Sequence, residues 1–436
     1  MNKAVRNFVA LATVIVLGFS LSACAPEKPS GDRKITIVGA FGGVEAQGFQ
    51  TELNAWSVAS GIKATYSQLP FFESSIKPLL RTKKKPDLVI YPQPGAVMQG
   101  KIKPIALDKI LELKPFQKTL VPGWEPLTAS KGHIYGLPIN TAVQSLIWYN
   151  PQAFAEHGYL PPVTNTDLSD LVEKIKKDSS GYPWCLGIED GSKTGAVATD
   201  WLEAYVLQYG GMNVYNKWWQ GTVKFSDKVI KKAASKFGGL VLNKSNVAGG
   251  GEAIAATYFG EATARNLFSK GKKNSQCFMW RMGSDAPNYF PKEIAAAYAS
   301  SDFSKIGVIP VPDISRTSRA VIGTGEIATA YKNDSDVKAV LEFILSDQLG
   351  THGWAKTGTF FSPHTSFDNT RYAHAIRQRI GEAMANSTVF GYDASDLMPF
   401  KIGSQIEPAQ LTKWIAGEQS LDSALKAIDE AWPLGQ

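Results

Sequence analysis

The chain has 436 residues, 44% hydrophobic and 11% aromatic, with a formal net charge of +7. This composition excludes a disordered or fibrous chain, and the length exceeds what one hydrophobic core usually holds, so two domains are expected. The lysines are scattered apart from Lys83–Lys85 and Lys272–Lys273, which argues for a solvated face and against a nucleic-acid partner.

In chain order, Lys3 and Arg6 precede an apolar stretch from Phe8 to Phe19 and then Leu21, Ser22, Ala23 and Cys24. A basic start, a short apolar run and small residues before a cut are the parts of a secretory signal. The run is too short for a bilayer span, which takes roughly 20 apolar residues. Leu-Ser-Ala-Cys resembles the bacterial lipobox. That resemblance implies removal of residues 1–23 and lipidation of Cys24, leaving the chain anchored to the outer face of the bacterial cell membrane. Residues 24–33 are polar and Pro-rich and are expected to form a flexible leash. With Cys24 acylated, Cys185 and Cys277 remain. In an exported protein they are expected to form a disulfide, the alternative being two separate buried thiols.

Lys34 to Val38 reads as a strand running into Gly39-Ala40-Phe41-Gly42-Gly43, with a helix from about Glu45 to Ser60 stopped by Gly61. Strands follow at Ile62–Tyr66 and Leu88–Tyr91, the latter ending in the turn Pro92-Gln93-Pro94-Gly95. Residues 131–150 read as one long extended path broken at Pro138. Leu168, Leu171, Val172 and Ile175 mark one helix face; Val337, Val340, Leu341, Ile344 and Leu345 mark another. Ile306–Ile309 is a strand, and Ser420 caps a last helix that stops at Pro433. Strands alternating with helices predict an α/β fold with a mainly parallel sheet.

Several segments then carry a family resemblance. They are Pro86 to Gly95, Gly132 to Asn140 running on to Asn150, Tyr182 to Gly191 with Ala198 to Trp201, Asp393 to Pro399, and Ile428 to Pro433. In this order, across about residues 34–433, the chain resembles the substrate-binding lipoproteins of bacterial ABC importers for sugars. These belong to the maltose-binding-protein group, and the similarity is greatest to its α-glucoside-binding branch. The resemblance implies a two-lobed periplasmic-binding-protein-like fold with a hinge and an interlobe cleft. It implies one lobe from residues 34–140 and 318–365 and a second from 141–317 and 366–436. The implied partners are a small carbohydrate and the transmembrane subunits of an ABC permease. A monomer is expected, with no cofactor and no metal.

A sugar presents hydroxyls, which need paired donors and acceptors, and C–H faces, which pack on aromatic rings. Residues of both kinds stand beside predicted strand ends, where α/β sheets hold ligands. Phe41, Gly42 and Glu45 follow the first strand; Gln93 sits on a stiff turn; Asn140 and Thr141 lie at the crossing between lobes. Asp200 with Trp201, and Trp280 with Arg281, each pair a polar group with a ring. Against these stand plainer readings: Glu45 in a first helical turn, Asp200 as a helix cap, and Arg281 over a packed Trp280. Gly323, Thr324 and Glu326 lie in a string that matches a dinucleotide fingerprint formally, but no β-α-β unit follows it. The resemblance makes it a cleft loop, with Glu326 where the family more often has glycine or an uncharged residue. Residues 403–408 depart from the family as well.

An exported glycoside hydrolase or a binder of a non-sugar solute are the alternatives. Glu189, Asp190 and Glu326 are available carboxylates, but there is no G-x-S-x-G elbow and no H-E-x-x-H motif. His133, His157, His352, His364 and His374 have no metal-ligand spacing. The expectation is reversible capture without catalysis.

Overall fold

The computed structural model describes residues 33–98, 101–178, 181–269, 277–314 and 319–433. The signal, Cys24, nearly all of the leash, and Lys272–Lys273 lie outside the described residues.

The expected α/β architecture is present, but the sheets are mixed rather than mainly parallel, because the segments that cross between the sheets pair antiparallel with their neighbours. One lobe is built on a five-stranded sheet in the order Lys63–Gln68, Lys34–Gly39, Leu88–Tyr91, Ile327–Ala330, Leu137–Pro138. The first three strands are parallel, and Ile327–Ala330 returns antiparallel. Leu88–Tyr91 is buried along its whole length, as a central strand covered on both faces must be. The helices Gly43–Ser60 and Ser335–Ile344 pack on this sheet through Phe49, Leu53, Val340 and Leu341. Asp334 caps the second of these, accepting from the backbone N–H groups of Asp336 and Val337.

A second sheet has the order Gly307–Pro310, Leu146–Tyr149, Cys277–Arg281, Tyr182–Trp184. Against it lies a helical core of Trp184, Trp201, Tyr205, Trp218, Phe237 and Ile254, all with at most 1% exposure. The disulfide between Cys185 and Cys277 is present, with Cα atoms 5.2 Å apart. Cys185 directly follows the strand Tyr182–Trp184, which runs parallel beside Cys277–Arg281, so the bridge ties the end of one strand to the start of its neighbour.

A third sheet joins Val389–Tyr392, Ala320–Thr324 and Ala142–Val143. Its last two members are the pieces of chain that pass between the two larger sheets. The extended path predicted over 131–150 is four short strands, each in a different sheet: His133–Ile134, Leu137–Pro138, Ala142–Val143 and Leu146–Tyr149. Residue alternation is the same for one long strand as for four short ones, so only tertiary pairing distinguishes them.

Candidate functional site

On the first lobe, the strand Lys34–Gly39 leads into Phe41, whose ring stacks on Tyr66 at 4.4 Å with 8° between planes. The Tyr66 hydroxyl donates to the Phe41 carbonyl. Gly42 sits at the N-cap position of the helix Gly43–Ser60, and Glu45 lies in that helix's first turn. The Asn140 Nδ2 donates to Glu45 Oε1 at 2.9 Å and to the Thr359 carbonyl at 3.2 Å. The Asn140 Oδ1 accepts from the backbone N–H groups of Thr141 and Phe361, so the orientation of this buried amide is set on both sides.

Glu326 stands beside this arrangement, on the turn joining Ala320–Thr324 to Ile327–Ala330, where its carbonyl accepts from Ile139 N–H. Burial and the neighbouring Glu326 push the Glu45 carboxyl up to about 8, against the pull of Asn140. Burial likewise pushes Glu326 up to about 7. The Glu326 Oε2 is buried and has no hydrogen-bond partner among the described residues. The Thr141 hydroxyl donates to the Thr324 carbonyl, tying the two crossing segments together. A Cβ on Gly323 would stand 2.1 Å from the Ala142 carbonyl, so this close approach requires glycine.

Two contacts pass from this lobe to the loop after Val389–Tyr392. Gln93, at the strand end preceding Pro94–Val97, donates through Nε2 to Asp396 Oδ1 at 2.8 Å. The Tyr392 hydroxyl lies 2.9 Å from the Pro92 carbonyl and 3.2 Å from that of Gly325. Beside Gln93 and Asp396 is a cavity of about 290 Å³. Its walls include Phe72, Tyr91, Phe400 and Ser404.

On the second lobe, Asp200 lies inside the helix Ala196–Trp219 and is not its cap, since Gly195 holds that position. It keeps 20% of its side-chain surface exposed, with Arg281 Nη1 3.7 Å from Oδ2. Arg281 Nη2 donates to the Asp200 carbonyl at 2.7 Å. Burial pushes the Asp200 carboxyl up to about 8; Arg281 opposes the rise, and Asp393, Asp285 and Asp396 add to it. Burial, with Asp393 beside it, also pushes Asp396 up to about 8.

Trp201 and Trp280 are each 1% exposed. Trp201 packs between Trp184 and Phe237, and Trp280 packs toward Phe290. Both rings lie in cores, while Arg281 sits over the Trp201 ring at 5.3 Å rather than over Trp280.

Sequence reasoning did not name Gln144, Glu203, Asp393, Ser395 or Asp396 as site residues. Gln144 Nε2 donates to Asp393 Oδ2 at 2.9 Å. Asp393 Oδ1 accepts from Ser395 Oγ and Asp396 N–H. Glu203 is fully buried, and its carboxyl accepts from the backbone N–H groups of Ala394 and Ser395, fixing the loop that presents Asp396. The string Asp393-Ala-Ser-Asp396 was the available signal: two acids flanking a helix start after a strand. Nothing in the sequence marks Glu203. Among the described residues no group of three or more His, Cys, Asp or Glu side chains is placed to hold a metal ion.

Two lobes, a hinge of crossing strands and polar groups converging between them define a solute receptor, and the comparisons agree. Residues 43–350 match the bacterial extracellular solute-binding protein family, and the chain belongs to that family. It is 27% identical to the osmoprotective compounds-binding protein GgtB of Synechocystis, over 98% of this chain and 100% of that protein. It is 29% identical to the alpha-glucosides-binding periplasmic protein AglE of Rhizobium meliloti, over 91% of this chain and 86% of that one. The solved structure of the bacterial solute receptor AcbH has a TM-score of 0.74 at 15% identity, covering 92% of this chain and 98% of that one. The cyclic alpha-maltosyl-1,6-maltose binding protein of Arthrobacter globiformis has a TM-score of 0.66 at 18% identity, covering 91% and 97%. These likenesses show the two-lobed fold. No helix among the described residues is long and apolar enough to cross a membrane.

Proposed function

We propose that this chain is the sugar-capturing receptor of an ABC importer, holding a small α-glucoside between its lobes and handing it to the permease without chemical change. The observation that carries this reading is the Gln93–Asp396 contact across the lobes, with a cavity beside it that places ring edges next to amide, carboxyl and hydroxyl groups. At about 290 Å³ the cavity is at the small end of ligand pockets, roughly 300 Å³ upward, and suits a mono- or disaccharide. Of the residues expected at the sugar, Gln93 alone lines this cavity; Phe41, Glu45, Asn140, Asp200, Arg281 and Glu326 are not among its walls and are assigned to the rest of the interlobe cleft. The relatives named for α-glucosides and osmoprotective compounds support that ligand class. The lobes take residues 34–140 with 318–365 and residues 141–317 with 366–436. A lipid on Cys24 keeps the receptor at the outer face of the membrane, beside the permease.

Calorimetry with maltose, trehalose, sucrose and galactose tests the capture: one of the α-glucosides binds, and the recovered sugar is unaltered. Hydrolysis of the sugar, or binding of none of the four, overturns the reading. Cys24→Ala moves the protein from the membrane fraction to the soluble fraction if the anchor is assigned correctly.

A further inference from the structure

We propose that the α-glucoside taken by this receptor carries an anionic group, a carboxylate or a phosphate, and that Lys77, Arg81 and Lys101 hold that group in the cavity beside Gln93. This rests on the sugar-receptor reading above and adds to it the charge of the ligand, which sets it apart from a neutral oligosaccharide.

Three features lead to it. First, the three cations line one cavity although they come from two separate segments. Lys77 lies in the helix Phe72–Leu79 and Arg81 in the turn that follows it, where its N–H donates to the Pro78 carbonyl. Lys101 comes from the segment after the helical turn Pro94–Val97. Phe72, Ile76 and Leu80, also on the cavity walls, are buried, so apolar surface adjoins the cations.

Second, the protein leaves these cations without countercharge. Among the described residues, none of the three stands within ion-pair distance of a carboxylate. Lys77 and Arg81 have i, i+4 spacing, which makes like charges neighbours that repel. Two acids share the walls, Glu73 and Asp396. Burial, with Asp393 beside it, holds Asp396 up to about 8, so near neutrality it is mostly uncharged. Glu73 is left to face three cations.

Third, the excess continues outward. Lys83, Lys84 and Lys85 follow in the chain and are all exposed. A run of positive charge leading to a cavity with low-dielectric walls concentrates the potential there and attracts anions.

The chemistry matches one kind of ligand. The Arg81 guanidinium is planar and offers paired N–H groups to two oxygens of a carboxylate or phosphate, while the two lysines add compact charges. Gln93 and Ser404, on the same walls, offer polar groups to the hydroxyls of the glucosyl ring. A neutral sugar fits the same space but leaves the three cations uncompensated, and a cationic one meets like charge.

The test is calorimetry with two matched pairs of α-glucosides. Maltobionate and maltitol differ by a carboxylate in place of a hydroxymethyl group; α-glucose 1-phosphate and methyl α-glucoside differ by a phosphate in place of a methoxy group. In at least one pair the acid is expected to bind about tenfold or more tightly than its neutral partner at about 20 mM salt, with the ratio falling severalfold at about 200 mM. The pair that shows the preference tells carboxylate from phosphate. Arg81→Gln and Lys101→Gln are each expected to lower that ratio by about threefold or more. Lys177→Gln, on the helix Asn165–Asp178 and not on the cavity walls, removes the same charge and is expected to leave the ratio as it is. Absence of preference in both pairs overturns the proposal. So does a preference that survives both cavity variants, or one lost equally in Lys177→Gln. In each of these cases, binding of the neutral sugars keeps the receptor reading intact. If neither the acids nor the neutral sugars bind, the receptor reading falls and the proposal falls with it.

Discussion

Gln93 and Asp396 are 303 residues apart in the chain and 2.8 Å apart in space, and their hydrogen bond spans the gap between the lobes. It forms only when the strand end after Leu88–Tyr91 meets the helical turn Ala394–Leu397. Removing the donor with Gln93→Ala therefore favours the open state. The expected result is a sugar dissociation constant raised about tenfold, near 1.4 kcal/mol, and a larger radius of gyration for the empty protein in small-angle scattering. Equal scattering curves for the two proteins would sink this assignment of the contact.

Glu203 holds the loop that carries Asp393 and Asp396. Its carboxyl, pushed well above the carboxylate range by burial, accepts two backbone N–H groups that would otherwise be orphaned. Glu203→Ala is expected to cost about 2 kcal/mol or more in denaturant unfolding and to weaken sugar binding, although Glu203 touches no sugar.

Gly403 lies in the π-helical turn Ile402–Ile406, and a Cβ there would stand 1.9 Å from the Ser395 carbonyl. Gly403→Ala must push this turn away from the same loop. Weaker sugar binding, measured by calorimetry, is expected with little change in far-ultraviolet dichroism. Unchanged affinity would show that the turn yields freely.

The empty protein is expected to lose stability as the pH rises from neutrality toward about 8. Asp200 and Asp396 have folded-state values raised to about 8, so the folded protein holds protons that the unfolded chain has already lost. Their contribution is present at low pH and disappears as the pH passes through those values. Melting temperatures at about pH 6.5 and pH 8.5 check the sign, and Asp200→Asn should flatten the difference. A melting temperature that rises over this interval contradicts it.

Reduction of Cys185–Cys277, which are 92 residues apart, should lower stability by about 4.6 kcal/mol on loop-entropy grounds. Urea unfolding with and without reductant measures it.

Much of this architecture was legible because local pattern and tertiary role agree. The periodicity of Val337, Val340, Leu341 and Ile344 gives the helix Ser335–Ile344, and Ser420 does cap the last helix, Leu421–Ala431. The site was less legible. Asn140, Glu45 and Glu326 were named one by one, but nothing local shows that three distant segments bring them together. Trp201 beside Asp200 and Trp280 beside Arg281 have the composition of a sugar platform, yet ring burial depends on packing partners such as Trp184 and Phe237 that the chain supplies from elsewhere. Glu203 escaped notice because a helical glutamate usually faces solvent.

The short run His133–Tyr149 gives a strand to each of the four sheets formed by the described residues. None of these sheets is complete until that run is in place, and from Leu137 onward the run has no fixed path until its partners from residues 277–281 and 307–330 arrive. Neither lobe is therefore a unit that can be excised and folded alone. The chain must reach its native state through late, non-local pairings and should melt in a single cooperative transition.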